Sequence, residues 1–347
     1  MRIGIDIDGV LTDIEQWQLD YGSKFYYENY GLKEDGLLGY LKNLIKPKYK
    51  EFTAVNNINF NINEGELVGY IGENGAGKST TIKMLTGLLS PTSGQVVVNG
   101  IVPNEKRIEN NKNIGAVFGQ KTQLWWDLPV IESFRLIKKM YRIPENEYRK
   151  NLKKFTELLQ LEDLLEKQVK NLSLGQKMRC EIAATFLHNP KIVYLDEPTI
   201  GLDVLVKENI RKFIKDINKE KNTTVILTTH DLKDIEDVCD RIILLDKGQI
   251  IFDGEKQKFK DTYGNSVSAE IILKNKKASI TESLYDEDFE IVEENEESIK
   301  IKFDHEKMTI VKIVEMISKY GDIVDIHMKE AELEDILKEI YRGVKIC

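Results

Sequence analysis

The chain has 347 residues, 41 % of them hydrophobic and 31 % charged, and a formal net charge of −8. That length holds one large or two medium domains with real cores, and the acidic balance gives the chain as a whole no electrostatic footprint for nucleic acid. The three cysteines, Cys180, Cys239 and Cys347, are too scattered for a zinc site or a redox pair and read as reduced thiols. Nothing approaches the run of ~18 apolar residues that spans a membrane, and the first residues lack the basic head and apolar run of a secretory signal.

In chain order, residues 3–7 of MRIGIDIDGVLTD alternate like a strand and bring Asp6 and Asp8 close together. Residues 14–30 are polar and tyrosine-rich. The stretch 31–50 is a glycine-punctuated connector whose lysines at 42, 46, 48 and 50 read as a solvated face, with anionic lipid as the alternative. Alternation at Val55, Ile58 and Phe60 predicts strands. Leu67–Ile71 predicts a buried strand that feeds a glycine-rich turn and a helix, and 92–102 predicts a further strand and turn. Helical periodicity takes over across 128–170: Phe134, Ile137 and Met140 share one face, Pro144 interrupts, and Leu152, Phe155 and Leu159 restart a stripe. KIVYLDEP and TTVILTTH are short β-branched runs separated by a helical stretch, the pattern of a parallel α/β sheet. DRIILLDKGQIIFDG reads as a closing hairpin. From about residue 265 the composition shifts to an acidic run at 282–297, then to strands at SIKIKF and GDIVDIHM and two helices, a small α+β appendage.

Three motifs carry chemistry. GENGAGKST, which matches the phosphate-loop pattern from Gly72 to Ser79 and ends at Thr80, lies between a predicted strand and helix, where a phosphate-binding loop has to be. Its glycines let backbone N–H groups turn inward around phosphate oxygens, and the helix N-terminus adds a favourable dipole. Lys78 would reach the β- and γ-phosphates, and the Ser79 hydroxyl would meet a magnesium ion. In IVYLDEPTIGLD a buried strand ends in Asp196, placed to hold magnesium, and Glu197, placed to polarise an attacking water. NLSLGQKMR, from Asn171 to Arg179, starts a second helix with an anion-binding terminus. Taken alone it is a serine N-cap. One triphosphate has little use for two such helix starts, which suggests that the second serves the triphosphate on another copy.

With these residues in place, the sequence resembles the ATP-binding subunit of an ATP-binding cassette (ABC) transporter. GENGAGKST, LSLGQ and IVYLDEPTIGLD match its Walker A, signature and Walker B plus D-loop motifs in order; Leu174 stands where glycine is commonest. VFGQKTQLWW is similar to the Q-loop, with Gln120 the matching glutamine and Gln123 the second candidate. ILTTHDL is similar to the switch region, with His230 the histidine that meets the γ-phosphate, although a histidine after an apolar strand is in isolation a structural residue. The resemblance implies an α/β P-loop fold of ABC type, with a RecA-like parallel core sheet, an antiparallel β subdomain, an α-helical subdomain at about 128–180, and a C-terminal α+β appendage. It divides the chain into 1–34, a cassette at 35–265 and an accessory domain at 266–347.

The same resemblance implies a set of nucleotide-binding residues. Gly72, Asn74, Gly75, Gly77, Lys78, Ser79 and Thr80 would cradle ATP, while Ser173, Gly175 and Gln176 would close over the ATP of a second subunit, homologous or identical, with Asp203 at the seam. Ser79, Gln120 and Asp196 would hold Mg2+, and Glu197, Gln120 and His230 would carry hydrolysis. A separate integral-membrane permease would be the partner, at the cytoplasmic face of the membrane, with no nucleic acid involved. TQLWWDLPV and the appendage resemble a drug- or polysaccharide-export subfamily. Trp125 and Trp126 are awkward to bury together, and at least one is expected to line a groove for the permease.

The opening IGIDIDGVLTD resembles the first motif of haloacid-dehalogenase-like phosphohydrolases, in which Asp6 would be nucleophile and Asp8 general acid/base. About thirty residues cannot build that domain, so the opening reads as a fragment that replaces the usual first strand and adenine-stacking aromatic. Tyr49 or Phe52 would supply the stacking face. A phosphohydrolase and a soluble, non-transport ABC ATPase are the alternative functions.

Overall fold

The computed structural model describes residues 53–119, 121–264, 266–276, 279–281, 284, 289–304, 307–329 and 333–341. A six-stranded sheet organises the first part. Its strands are β1 (Leu67–Gly72), β2 (Ile114–Phe118), β3 (Ile192–Asp196), β4 (Thr224–Thr228), β5 (Arg241–Asp246) and β6 (Gln249–Glu255), in the order β2-β3-β4-β1-β5-β6. The first five run parallel, and β6 returns antiparallel beside β5 as the expected hairpin. All five residues of β4 are buried, as befits a short β-branched strand covered on both faces.

Helices α1 (Lys78–Leu85), α2 (Arg107–Asn113), α3 (Val130–Tyr141), α4 (Glu145–Leu159), α5 (Leu174–Phe186), α6 (Val204–Lys221), α7 (Leu232–Val238) and α8 (Lys256–Tyr263) accompany this sheet. α6 buries Ile210, Phe213, Ile214 and Ile217, one face at the i, i+3, i+4, i+7 spacing. Phe213 meets Phe155 of α4 and Phe186 of α5 edge-on, with ring centroids 5.2 and 5.3 Å away. These contacts join the helical segment to the sheet core.

Three local expectations are corrected. Val55, Ile58 and Phe60 lie in irregular chain, with a bend at Val55, that forms no strand among the described residues. The strand expected at 92–102 is reduced to one antiparallel bridge, Val98 to Ile101. Asn99 and Gly100, both at positive φ, turn the chain there, but one bridged pair is too little ladder to make a sheet. Met140 is exposed, unlike Phe134 and Ile137. A spacing of three falls short of the 3.6-residue turn, so a third residue at that interval drifts off the buried face.

A second sheet is antiparallel, with β7 (Ser266–Lys274), β8 (Phe289–Glu294), β9 (Ser298–Asp304) and β10 (Asp322–Lys329) in the order β10-β7-β9-β8. Helix α9 (Ile310–Ile317) covers one face, with Ile313 and Ile317 against Ile271, Ile299 and Ile301. β8 runs through the acidic stretch, where Phe289 and Ile291 pack inward between glutamates. The last helix, α10 (Leu333–Tyr341), leaves this sheet, and its Leu333, Ile336 and Leu337 are buried in the core of the first one. Among the described residues no helix is long and apolar enough to cross a membrane.

Candidate functional site

The site forms where parallel strands end, at the edge of the sheet where loops and helix N-termini converge. β1 ends at Gly72 and the chain turns through 73–77 into α1. Gly77 has φ 107 and caps α1 with no side-chain bond, so the first N–H groups of the helix face the loop. A Cβ on Gly72 would lie 2.5 Å from the Leu245 carbonyl oxygen, so only glycine lets the loop start this close to β5. Below the loop, the Thr81 hydroxyl accepts from the Tyr70 phenol at 3.1 Å and donates to the Gly77 carbonyl at 3.1 Å. Lys78 Nζ folds back to donate to the carbonyls of Gly72 (2.6 Å) and Glu73 (3.0 Å). Burial lowers the Lys78 pKa, against an upward pull from Glu197, Asp196 and Glu73. Asn74 and Gly75 are exposed at the crest, Ser79 is exposed, and Thr80 is half-buried one residue into the helix.

The acidic pair lies directly across. Asp196 ends β3, and its Oδ1 accepts from the hydroxyls of Thr228 at 2.5 Å and Ser79 at 3.3 Å, linking the ends of β3, β4 and the loop helix. Glu197 is held at φ 55, a left-handed backbone unusual for a side-chain-bearing residue. Its N–H donates to the Thr228 carbonyl at 2.9 Å, and its Oε1 meets His230 Nε2 at 2.7 Å. A cavity of about 490 Å³ opens beside these groups. Its walls are Glu73 and Asn74 of the loop, His230 and Leu232 after β4, and Leu337 and Tyr341 of α10. Burial raises the Tyr341 pKa, with Glu73 and Asp246 adding to the effect. The C-terminal helix therefore forms one wall of the cavity.

The remaining expected residues fall into four groups. Gln120, Tyr49, Phe52, Asp6, Asp8 and the lysines at 42, 46, 48 and 50 lie outside the described residues. Gln123 is committed elsewhere: its N–H donates to Glu181 at 2.7 Å, and its amide nitrogen donates to the Thr185 hydroxyl at 2.7 Å. Burial raises the pKa of Glu181, partly offset by donors from Gln123 and Thr122. Ser173 and Gln176 form a reciprocal capping box at the start of α5, with bonds of 3.0 and 3.3 Å. Gly175 follows in the first turn, facing Leu202 and Val206, and Asp203 caps α6 by accepting from Val206 N at 3.0 Å. Trp125 and Trp126 are both exposed, the latter beneath Lys177 Nζ at 4.1 Å.

Sequence reasoning missed Thr228, and with it a buried polar cluster behind the site. Asp234 of α7 accepts from the hydroxyls of Thr199 and Thr229 and from Arg211 of α6. A signal was present: Arg211 interrupts the apolar face of α6 beside Ile210, and a cation there calls for a buried partner.

Residues 55–200 match the ABC transporter family. The linearmycin resistance ATP-binding protein LnrL of Bacillus subtilis (strain 168) is 30 % identical over 298 residues, 84 % of this chain and 94 % of that protein. ABC transporter A family member 8 of Dictyostelium discoideum is 34 % identical over 242 residues, 69 % of this chain; the chain covers only 28 % of that protein's length. Among solved structures, one described as the "Dimeric structure of a post-hydrolysis state of the ATP-binding cassette MJ0796 bound to ADP and Pi" aligns with a TM-score of 0.54 at 32 % identity, covering 60 % of this chain and 94 % of that one. Such cassettes bind ATP, normally with Mg2+. The loop, the acidic pair and His230 share one site, and nearly the whole of LnrL is matched at 30 % identity; the chain belongs to the ABC transporter family as an ATP-binding subunit.

Proposed function

We propose that this subunit hydrolyses ATP as one half of a head-to-tail dimer and that hydrolysis drives a separate membrane permease in the export direction. One observation supports this most: the Glu197–His230 pair at 2.7 Å faces the same edge as Lys78 and the Asp196–Ser79 contact. In this reading the N–H groups of 72–78 and Lys78 bind the phosphates. Glu197 takes a proton from water as the water oxygen bonds to the γ-phosphorus. The bond from that phosphorus to the bridging oxygen breaks, and ADP and inorganic phosphate are released. His230 both orients Glu197 and meets the γ-phosphate.

The chemistry of the donors fits Mg2+. A carboxylate and a hydroxyl, Asp196 and Ser79, are 3.3 Å apart, and magnesium in nucleotide sites takes one or two such oxygens with the rest from phosphate and water. Among the described residues no cluster of three or more His, Cys, Asp or Glu could form an all-protein cage. When bound, the ion would neutralise charge on the phosphates, held by Ser79, Asp196 and, by resemblance, Gln120.

Ser173, Gly175, Gln176 and Asp203 are assigned to the second subunit's ATP, at least one of the exposed Trp125 and Trp126 to the permease, and residues 35–265 to the cassette, with 266–347 as an accessory domain whose last helix, α10, packs back into the cassette core. Attachment at the cytoplasmic face through the permease follows from that pairing. Similarity to LnrL, a resistance protein by name, supports export. The phosphohydrolase alternative rests on Asp6 and Asp8, outside the 55–200 family match. Phosphate release from Mg-ATP tests the core of the proposal. The wild type is expected to turn over, with Lys78→Ala and Glu197→Gln inactive; wild-type turnover equal to that of Lys78→Ala contradicts it.

A further inference from the structure

Glu197 is in an unfavourable backbone conformation, φ 55. Such a residue persists only where its surroundings over-determine it. On its N-terminal side its own N–H is fixed to the Thr228 carbonyl at 2.9 Å. Two residues further on, Thr199 is 2 % exposed and its hydroxyl donates to Asp234 Oδ2. The chain is therefore pinned on both sides of Glu197. His230 is treated the same way. Its neighbour Thr229 is 5 % exposed and donates to the same Asp234 oxygen at 3.0 Å. The Thr229 hydroxyl also accepts from Asp231 N at 3.0 Å.

One carboxylate oxygen thus ties together the two loops whose tips bring Glu197 and His230 to 2.7 Å. The other, Asp234 Oδ1, accepts from Arg211 Nε at 2.6 Å. Arg211 reaches on to Asp237 at 3.2 Å and Asp231 at 3.5 Å, and Lys207 closes on Asp231 at 2.6 Å. Asp234 and Arg211 are 1 % and 6 % exposed. A buried ion pair is a poor source of stability, and its best use is to fix geometry.

We infer that Asp234 is a positioning residue: through Thr199 and Thr229 it sets the register between Glu197 and His230 for hydrolysis, an inference that rests on the function proposed above. Asp234 touches no reacting atom. It acts on the two loops, so loosening it should slow the chemical step and leave ATP binding at the phosphate loop alone.

The test uses full-length protein, with kcat, KM for ATP and Tm measured together. Thr199→Val and Thr229→Val remove each hydroxyl at constant shape; Thr199→Ser and Thr229→Ser restore it. Each valine variant is expected to lose on the order of 100-fold in kcat, the cost of misplacing a catalytic group by about an ångström, with KM unchanged within about twofold. Each serine variant should return close to wild type. The double valine variant should fall no further than the worse single one, because both hydroxyls serve one oxygen. Valine variants that lose Tm but keep wild-type kcat overturn the inference, as does failure of serine to rescue. A wild type no faster than Lys78→Ala overturns the proposed function and this inference together. An active wild type with equally active valine variants overturns this inference alone.

Discussion

His188 makes the folded chain sensitive to acid in a way that can be worked out from its surroundings. The ring follows α5, stacks on Tyr141 at 3.8 Å between centroids, and bonds through Nε2 to the Ile114 carbonyl at 3.0 Å. Against a carbonyl, Nε2 must donate, which leaves Nδ1 as the unprotonated nitrogen. Nδ1 is buried and has no partner among the described residues. Burial pushes the His188 pKa down to about 4, partly offset by the bond to Ile114. In the folded chain the ring stays neutral to about pH 4, whereas unfolded it takes a proton near the ordinary value of about 6.5. Protons therefore favour the unfolded chain, so this contribution to stability is complete above about pH 7 and is lost as pH falls through the window from 6.5 to 4.

At about 1.36 kcal/mol per pKa unit, the loss between pH 7.5 and 4.5 is about 2.5 kcal/mol. Urea unfolding across that range, wild type against His188→Gln, isolates the effect. Glutamine can still donate to Ile114 but does not titrate, and carboxylates common to both chains cancel. The wild type should lose about 2.5 kcal/mol more than the variant. Parallel pH profiles would refute the assignment of a half-buried ring held neutral around a desolvated Nδ1.

Phe213→Ala should cost about 3–5 kcal/mol in urea unfolding, because its ring bridges Phe155 and Phe186 in a fully packed site; a loss below about 1 kcal/mol would mean the three helices do not share one core. Gly72→Ala should lower stability by about 1–3 kcal/mol, the usual cost of overpacking, and weaken binding of a fluorescent ATP analogue, since the added Cβ meets the Leu245 carbonyl at 2.5 Å. Unchanged affinity would show that the loop can start further from β5.

The core of the site was legible in the sequence because its parts stand at strand ends, where local pattern and position agree. Leu67–Gly72, Ile192–Asp196 and Thr224–Thr228 are short, largely apolar runs, and Lys78 and Asp196 follow from where those runs stop, whereas His230 rests on the resemblance. The closing hairpin β5–β6 was readable for the same reason. What failed was long-range. The stripe Leu333, Ile336 and Leu337 announces a buried face but cannot say that the face belongs to the first sheet rather than to its own domain. Phe289 and Ile291 alternate inside an acidic run whose composition hides the strand. Gln123 has the residue type wanted in a Q-loop, yet Glu181, 58 residues away, claims it. Asp234 carries no signal in the sequence, because an aspartate in the first turn of a polar helix is ordinary. Its meaning depends on Thr199, Thr229 and Arg211 arriving from three other segments.

The proposal that ATP closes a head-to-tail dimer is tested most directly, for two copies of this chain, by light scattering of the Glu197→Gln protein with and without Mg-ATP. Removing the proton acceptor should leave binding intact and stall hydrolysis. The account predicts a dimer with Mg-ATP, a monomer without it, and loss of the dimer when Lys78→Ala is added. A protein that binds Mg-ATP yet remains monomeric would contradict the assignment of Ser173, Gly175 and Gln176 to the ATP of a second identical copy.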